Sequence, residues 1–172
     1  MNISGGKFKG QRVIAPDERI TRPTLSKVRM GLFNTLFSIL GDFDNLSFLD
    51  VYSGSGIMGL EAISRGFKTV TSFELNKKSA LILKKNYENL GLKPNLIVGN
   101  ALNLIYKLQS KYDVAYVDPP YSAGIYEETL VALQGRADII ILEHPVNMEC
   151  SFENIIKQKK YGDKYLTYIK QG

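Results

Sequence analysis

The stretch YDVAYVDPPY, residues 112–121, runs from apolar residues into an acid, two prolines and a tyrosine. Proline gives no N–H to a sheet ladder, so Pro119 and Pro120 end the strand and fix the backbone just beyond it. A carboxylate at that point leaves an apolar run and needs a partner. Asp118 and the neighbouring carbonyls are hydrogen-bond acceptors, and a group with two N–H donors, such as the exocyclic amine of a nucleobase, satisfies them. Tyr121 adds a ring face on which a planar base can stack, a contact worth about 1–3 kcal/mol. The bland alternative is a rigid turn with Tyr121 packed as core.

A second constellation lies upstream. DVYSGSGIMG places Gly54, Gly56 and Gly59 in the spacing G-x-G-x-x-G after an apolar run, and Glu74 closes the next apolar run about 20 residues on. Glycines there let a ligand approach the backbone, and an acid at the second strand's end suits ribose hydroxyls. Two ligand classes share this geometry: a dinucleotide, with its pyrophosphate at the helix N-terminus, and S-adenosylmethionine, which carries no phosphate. The glycine turn alone does not choose between them. The amine-accepting corner does, because an aromatic amine whose N–H groups are held by Asp118 and the Pro119 carbonyl is a nucleophile for a sulfonium methyl. Such an in-line transfer needs alignment more than a covalent intermediate.

These residues must be positioned by alternating elements. TRPTLSKVRMGLFNTLFSILG has Leu25, Val28, Leu32, Leu36 and Ile39 on one helical face, with Thr24 or Ser26 able to cap its start and Gly41 its end. Strands are expected to end at Asp50, at Glu74, in NLIVGNA, at Asp118 and in ADIIILEHP. Helices are expected over IMGLEAISRG, from about Asn76 to Leu90, over LNLIYKLQS and over IYEETLVALQG. This alternation implies parallel βαβ units with right-handed crossovers. The tail FENIIKQKKYGDKYLTYIKQG reads as an antiparallel hairpin about YGDK. The expected fold is therefore α/β, a doubly wound, mostly parallel sheet with a terminal hairpin. In such a sheet ligands sit beyond the carboxyl ends of the strands, which groups Asp50, Glu74, Asn100 and Asp118 on one rim. His144, the only histidine, stands at the end of the fifth strand and reads as a loop histidine and not as a catalyst.

Bulk properties bound the function. At 172 residues, with 44% hydrophobic and 23% charged side chains, the chain suits one globular domain. A single cysteine, Cys150, and a single histidine leave no zinc cluster or internal disulfide. No apolar run is long enough to span a bilayer or to act as a signal peptide, so a cytoplasmic protein with no membrane partner is expected. Residues 1–29 carry seven of the 22 basic and two of the 17 acidic side chains, so the whole net charge of +5 lies there. We divide the chain into a basic arm, residues 1–23, and a catalytic domain, residues 24–172. Lys7, Lys9 and Arg12, interleaved with glycines and apolar residues, point to polyanion binding through phosphates. A second cluster, Lys157, Lys159, Lys160 and Lys164, either touches RNA or keeps a hairpin edge soluble, and the second reading is slightly favoured.

GGKFKGQRV, TRPTLSKVRMGLFN, LDVYSGSGIMGLEAISRG and VDPPY, in this order and spacing, resemble the RsmD family of 16S ribosomal RNA guanine-N2 methyltransferases. The basic arm followed by TRPT is the more discriminating part, since DPPY is shared by many amino-methylating enzymes. The resemblance implies a class I methyltransferase fold with seven strands. It implies S-adenosylmethionine as donor, bound by Asp50, by the Ser53, Gly54, Ser55 and Gly56 turn, by Glu74 and Leu75, and by Asn100 and Ala101 near the adenine. Asp118, Pro119, Pro120 and Tyr121 would hold the target guanine, flipped out or already unstacked. Arg22, Thr24 and Arg29 would close over the cofactor or reach the RNA. The implied partner is 16S rRNA in the small subunit or its precursor, together with ribosomal proteins, met by a monomer. Departures from the family pattern include Asn100 where an aspartate is frequent. Competing functions are adenine-N6 methylation of DNA, a nicotinamide-dependent oxidoreductase, and a non-catalytic RNA-binding assembly factor.

Overall fold

The computed structural model describes residues 1–16, 24–120, 123–148 and 151–172. Arg22, Tyr121 and Cys150 fall outside the described residues. Alternation of period 2 and period 3.6 yields α1 (Ser26–Leu40), β1 (Ser47–Asp50), α2 (Ile57–Ser64), β2 (Thr69–Glu74), α3 (Lys77–Glu88), β3 (Asn95–Val98) and α4 (Ala101–Tyr106). There follow β4 (Tyr112–Val117), α5 (Ala123–Leu133), β5 (Ala137–Pro145), β6 (Ile155–Tyr161) and β7 (Lys164–Lys170). The seven strands form one sheet in the order β3-β2-β1-β4-β5-β7-β6. Strands β1 to β5 pair in parallel, while β7 runs antiparallel to both β5 and β6. This is the class I methyltransferase fold, with its antiparallel hairpin at the C-terminal edge.

The central strands are apolar on both faces, and each residue's parity decides which layer it joins. Phe48, Val114, Tyr116, Ile139 and Ile141 pack with α1, α2 and α3, whereas Leu49, Ala115, Val117, Ile140 and Leu142 pack with α4 and α5. Burial on both sides explains why β4 and β5 read as continuous apolar runs. Asn76 caps α3, its side-chain oxygen accepting from the N–H groups of Lys78 and Ser79, a cap worth about 1 kcal/mol. At α1 the expectation fails: neither Thr24 nor Ser26 caps it, its N-cap is the exposed Leu25, and no side chain bonds there.

That cap is lost because Thr24 belongs to another network. Glu61 on α2 is fully buried and accepts from Arg29 Nε at 2.9 Å, from the Ser4 N–H at 2.8 Å and from Arg65. Arg29 also donates to the carbonyl of Thr24 and, at 2.7 Å, to that of Asn2. Arg65 lies over the Phe33 ring at 4.7 Å. Ile3 and Val13 of the N-terminal arm enter the core, and the Lys7 N–H donates to the Ser64 carbonyl at 2.7 Å. Gly6 has φ +77°, and a Cβ there would lie 1.9 Å from that same carbonyl, so only glycine lets the arm approach α2 so closely. Arm residues 1–16 are thus a strap on α1, α2 and α3, with Lys7, Lys9 and Arg12 on its exposed side.

Candidate active site

Strand order reverses between β1 and β4, and the crevice beyond their carboxyl ends is where such sheets hold ligands. A cavity of about 650 Å³ opens there. One wall is Val51 and Tyr52 after β1, a second is Glu74 and Leu75 at the end of β2, and a third is Asn100 and Ala101 after β3. Asp118, Pro119 and Pro120 close the end beyond β4.

The glycine turn is held by its own surroundings. The Ser53 N–H donates to the Phe73 carbonyl at 2.9 Å, the Gly54 N–H to Glu74 Oε2 at 2.6 Å, and the Gly56 N–H to the Ser53 carbonyl at 2.8 Å. Asn86 on α3 donates to the Ser55 carbonyl at 2.9 Å and exchanges two hydrogen bonds with Ile14, tying the arm to the turn. Gly56 sits at φ +82°, and a Cβ there would meet Leu83 at 2.7 Å. A Cβ on Gly59 would meet the Tyr87 hydroxyl at 2.5 Å. Close packing of α3 therefore demands glycine at these two positions, a reason that the sequence motif does not itself contain. From this turn it is Val51 and Tyr52 that face the cavity, while Ser53 and Ser55 are buried.

The acids at the rim differ in state. Asp50 is fully buried, and neither of its oxygens meets a donor at hydrogen-bond geometry. Burial, and then the charge of Glu74, push its carboxyl up to about 7. Glu74 is half-buried and accepts at both oxygens, from Gly54 and, at 2.8 Å, from the Asn76 N–H, so the acid itself links the first two strand ends. Asn100 caps α4 by accepting from the Asn103 N–H at 3.2 Å, which leaves its amide nitrogen for another partner. Leu75, 65% exposed, presents an unprotected apolar wall beside Glu74.

Asp118 is pushed well above the ordinary carboxylate range by burial first, then by Glu143, with Lys164 opposing and Asp50 adding. Glu143, at the end of β5, is buried and accepts from the Tyr116 hydroxyl at 2.6 Å and from Lys164 Nζ at 2.5 Å. Neither Glu143 nor Lys164 was singled out for the site from the sequence. The signal was present for Glu143, an acid ending an apolar strand like the other rim residues. For Lys164 the reading as a soluble hairpin edge is corrected: it lines the cavity and pairs with a buried acid.

Two further expectations are corrected. Arg29 is 1% exposed and spends its donors on Glu61, Thr24 and Asn2, so it faces neither the cavity nor an RNA. Thr24 is buried too, its hydroxyl 3.4 Å from that of Tyr116. His144 lies within β5 and not in a loop, with Nε2 2.8 Å from the Thr167 hydroxyl. Among the described residues no group of histidine, cysteine or acidic side chains could hold a metal, and no helix is long and apolar enough to cross a membrane.

The family model described as Conserved hypothetical protein 95 matches residues 1–170. A ribosomal RNA small subunit methyltransferase D from Buchnera aphidicola is 35% identical over 136 residues, 78% of this chain and 70% of the relative. A solved structure described as a putative methyltransferase from Escherichia coli superposes with a TM-score of 0.85 at 27% identity, covering 99% of this chain and 98% of that one. A 16S rRNA N2 methyltransferase of T. thermophilus, solved with AdoMet and guanosine, shares the fold with a TM-score of 0.73 at 16% identity, over 88% of this chain and 45% of that one.

Proposed function

The chain belongs to the RsmD family, the one matched by the Conserved hypothetical protein 95 model, and from that premise we propose that it methylates the exocyclic N2 amine of a guanine in 16S ribosomal RNA. Its methyl donor in this reading is S-adenosylmethionine. The single observation that carries the reading is a cavity large enough for a nucleoside, with Glu74 at one end and the Asp118-Pro119-Pro120 corner at the other.

The residues present fit that donor. Glu74 offers carboxylate oxygens to ribose hydroxyls, Leu75 and Ala101 offer apolar surface to a purine, and Asn100 has an amide donor to spare. When bound, S-adenosylmethionine supplies an electrophilic sulfonium methyl. Asp118, once ionised, accepts an N–H of the guanine amine. The Pro119 carbonyl accepts the other. Two acceptors favour the pyramidal nitrogen that attacks, and holding both partners in line supplies much of the rate. Pro119 and Pro120 keep the corner rigid, and Tyr121 gives the base a stacking face. Exposed Lys7, Lys9 and Arg12 contact phosphates and set the register on the RNA. The protein acts as a cytoplasmic monomer on the small subunit or its precursor, with ribosomal proteins forming part of the surface it meets.

The test is transfer of a tritiated methyl group from S-adenosylmethionine to the RNA of small subunits purified from cells without the endogenous enzyme. Wild-type protein should label the RNA, and Asp118→Ala should lower the rate at least about 100-fold, the scale of losing a key transition-state contact. S-adenosylhomocysteine affinity should change little. Absence of label from wild-type protein on every particle tried removes the reading.

A further inference from the structure

We propose that Lys164 is a positioning residue for the acceptor site: clamped by Glu143 at the start of β7, its ammonium shares the cavity wall with Asp118 and favours the charged form of that carboxyl for the incoming amine. The inference rests on the reading of the cavity as a methyl-transfer site, and it assigns the β6–β7 hairpin a part in that site.

The geometry comes from strand register. Val117 pairs with Leu142, so Asp118 and Glu143 leave β4 and β5 side by side. Pro145 pairs with Lys164, so the first residue of β7 comes back to the carboxyl end of β5. A hairpin joined at the opposite end would bring no cation there. Lys164 lines the cavity that holds Asp118 and Pro119, yet only 19% of its side chain is exposed. Nearly all of that side chain is therefore committed to this corner, unlike Lys157 and Lys160 on the exposed strand β6.

The charges facing Asp118 are three: Glu143 from β5, Lys164 from β7 and Asp50 from β1. Two are acids, and burial also disfavours an ionised carboxyl. A neutral carboxylic acid would offer the guanine amine a donor where an acceptor is needed. Lys164 is the cation that opposes the three other influences. Glu143 has two tasks: it fixes Nζ at 2.5 Å, and its second oxygen takes the Tyr116 hydroxyl at 2.6 Å, so the clamp itself is anchored in the sheet.

The experiment compares Lys164→Met, Lys164→Arg and Glu143→Gln in single-turnover methyl transfer across pH, alongside a carbon-13 NMR titration of the Asp118 carboxyl in each protein. Activity rises as Asp118 loses its proton. Removing the cation in Lys164→Met should move this acid limb to higher pH by about one unit, about a tenfold lower rate on its acid side. Glu143→Gln removes an acid and should move it to lower pH, while Lys164→Arg should restore the wild-type limb. Opposite shifts from two members of one ion pair are not what general loosening produces. Should the NMR midpoint of Asp118 stay put in a folded Lys164→Met protein, the proposal is overturned, whether or not any variant is active. If wild-type protein transfers no methyl group but the midpoints still move as stated, the electrostatic assignment stands and the methyl-transfer reading fails instead.

Discussion

Glu61 and Asp50 are both fully buried carboxylates on neighbouring elements of the same sheet layer, and they live in opposite circumstances. Glu61 is met by Arg29, Arg65 and the Ser4 N–H, a complete set of donors drawn from α1, α2 and the arm. Asp50 has only the Ser53 hydroxyl and the Gly59 N–H to set against its burial and the charge of Glu74, neither at full hydrogen-bond geometry, and is pushed up to about 7. A chain that can surround one buried acid so fully has the means to do so twice. The two acids differ in kind: Glu61 holds α1, α2 and the arm together, whereas burial and the charge of Glu74 disfavour the charged form of Asp50.

Three substitutions sharpen this contrast. Glu61→Ala leaves two arginines facing a buried gap and should destabilise the protein by roughly 3–5 kcal/mol in denaturant unfolding, because a broken buried pair strands its partners. Asp50→Asn should do the reverse. With its carboxyl raised from 3.8 to about 7, the folded state holds a proton that the unfolded chain gives up between those values. Wild-type stability from this group is therefore lost as pH rises from about 4 to about 7. The variant should match wild type below pH 4 and gain steadily above it, by at most about 4 kcal/mol at pH 8. Equal pH dependence of the two proteins would show that Asp50 is as well compensated as Glu61. Smallest of the three, Arg29→Lys keeps the charge but cannot reach Glu61, Thr24 and Asn2 together. It should cost about 2 kcal/mol and leave RNA affinity in filter binding as it was; a selective loss of RNA affinity at full stability would return Arg29 to the RNA surface.

Most of the sheet was legible because period decides element type: every strand ending at the rim and every helix between them follows from spacing, and YGDK marks the hairpin. The corner at Asp118 was legible for the same reason, since an acid and two prolines after an apolar run have few structural uses. What escaped needed partners distant in the chain. Arg29 reads as a basic residue among basic residues until Glu61 is brought to it by α2. Thr24 looks like a helix cap until its carbonyl is needed by Arg29. Glu143 is hidden in the run ILEHP, and Lys164 in a row of lysines, and only the antiparallel return of β7 beside β5 joins them at the cavity. The glycine turn taught the converse. Its spacing was read correctly as a strand-to-helix turn, but the demand for glycine at positions 56 and 59 comes from Leu83 and Tyr87 on a helix the motif does not contain.

An amine held at the Asp118-Pro119-Pro120 corner is reported most directly by the position of the transferred methyl group. RNA from small subunits treated with protein and S-adenosylmethionine, digested to nucleosides and analysed by mass spectrometry against standards, should yield N2-methylguanosine, and none with Asp118→Ala. A methyl group found instead on a ring carbon, a ring nitrogen or a ribose oxygen would contradict it, because none of those acceptors presents the two N–H donors that this corner is built to receive.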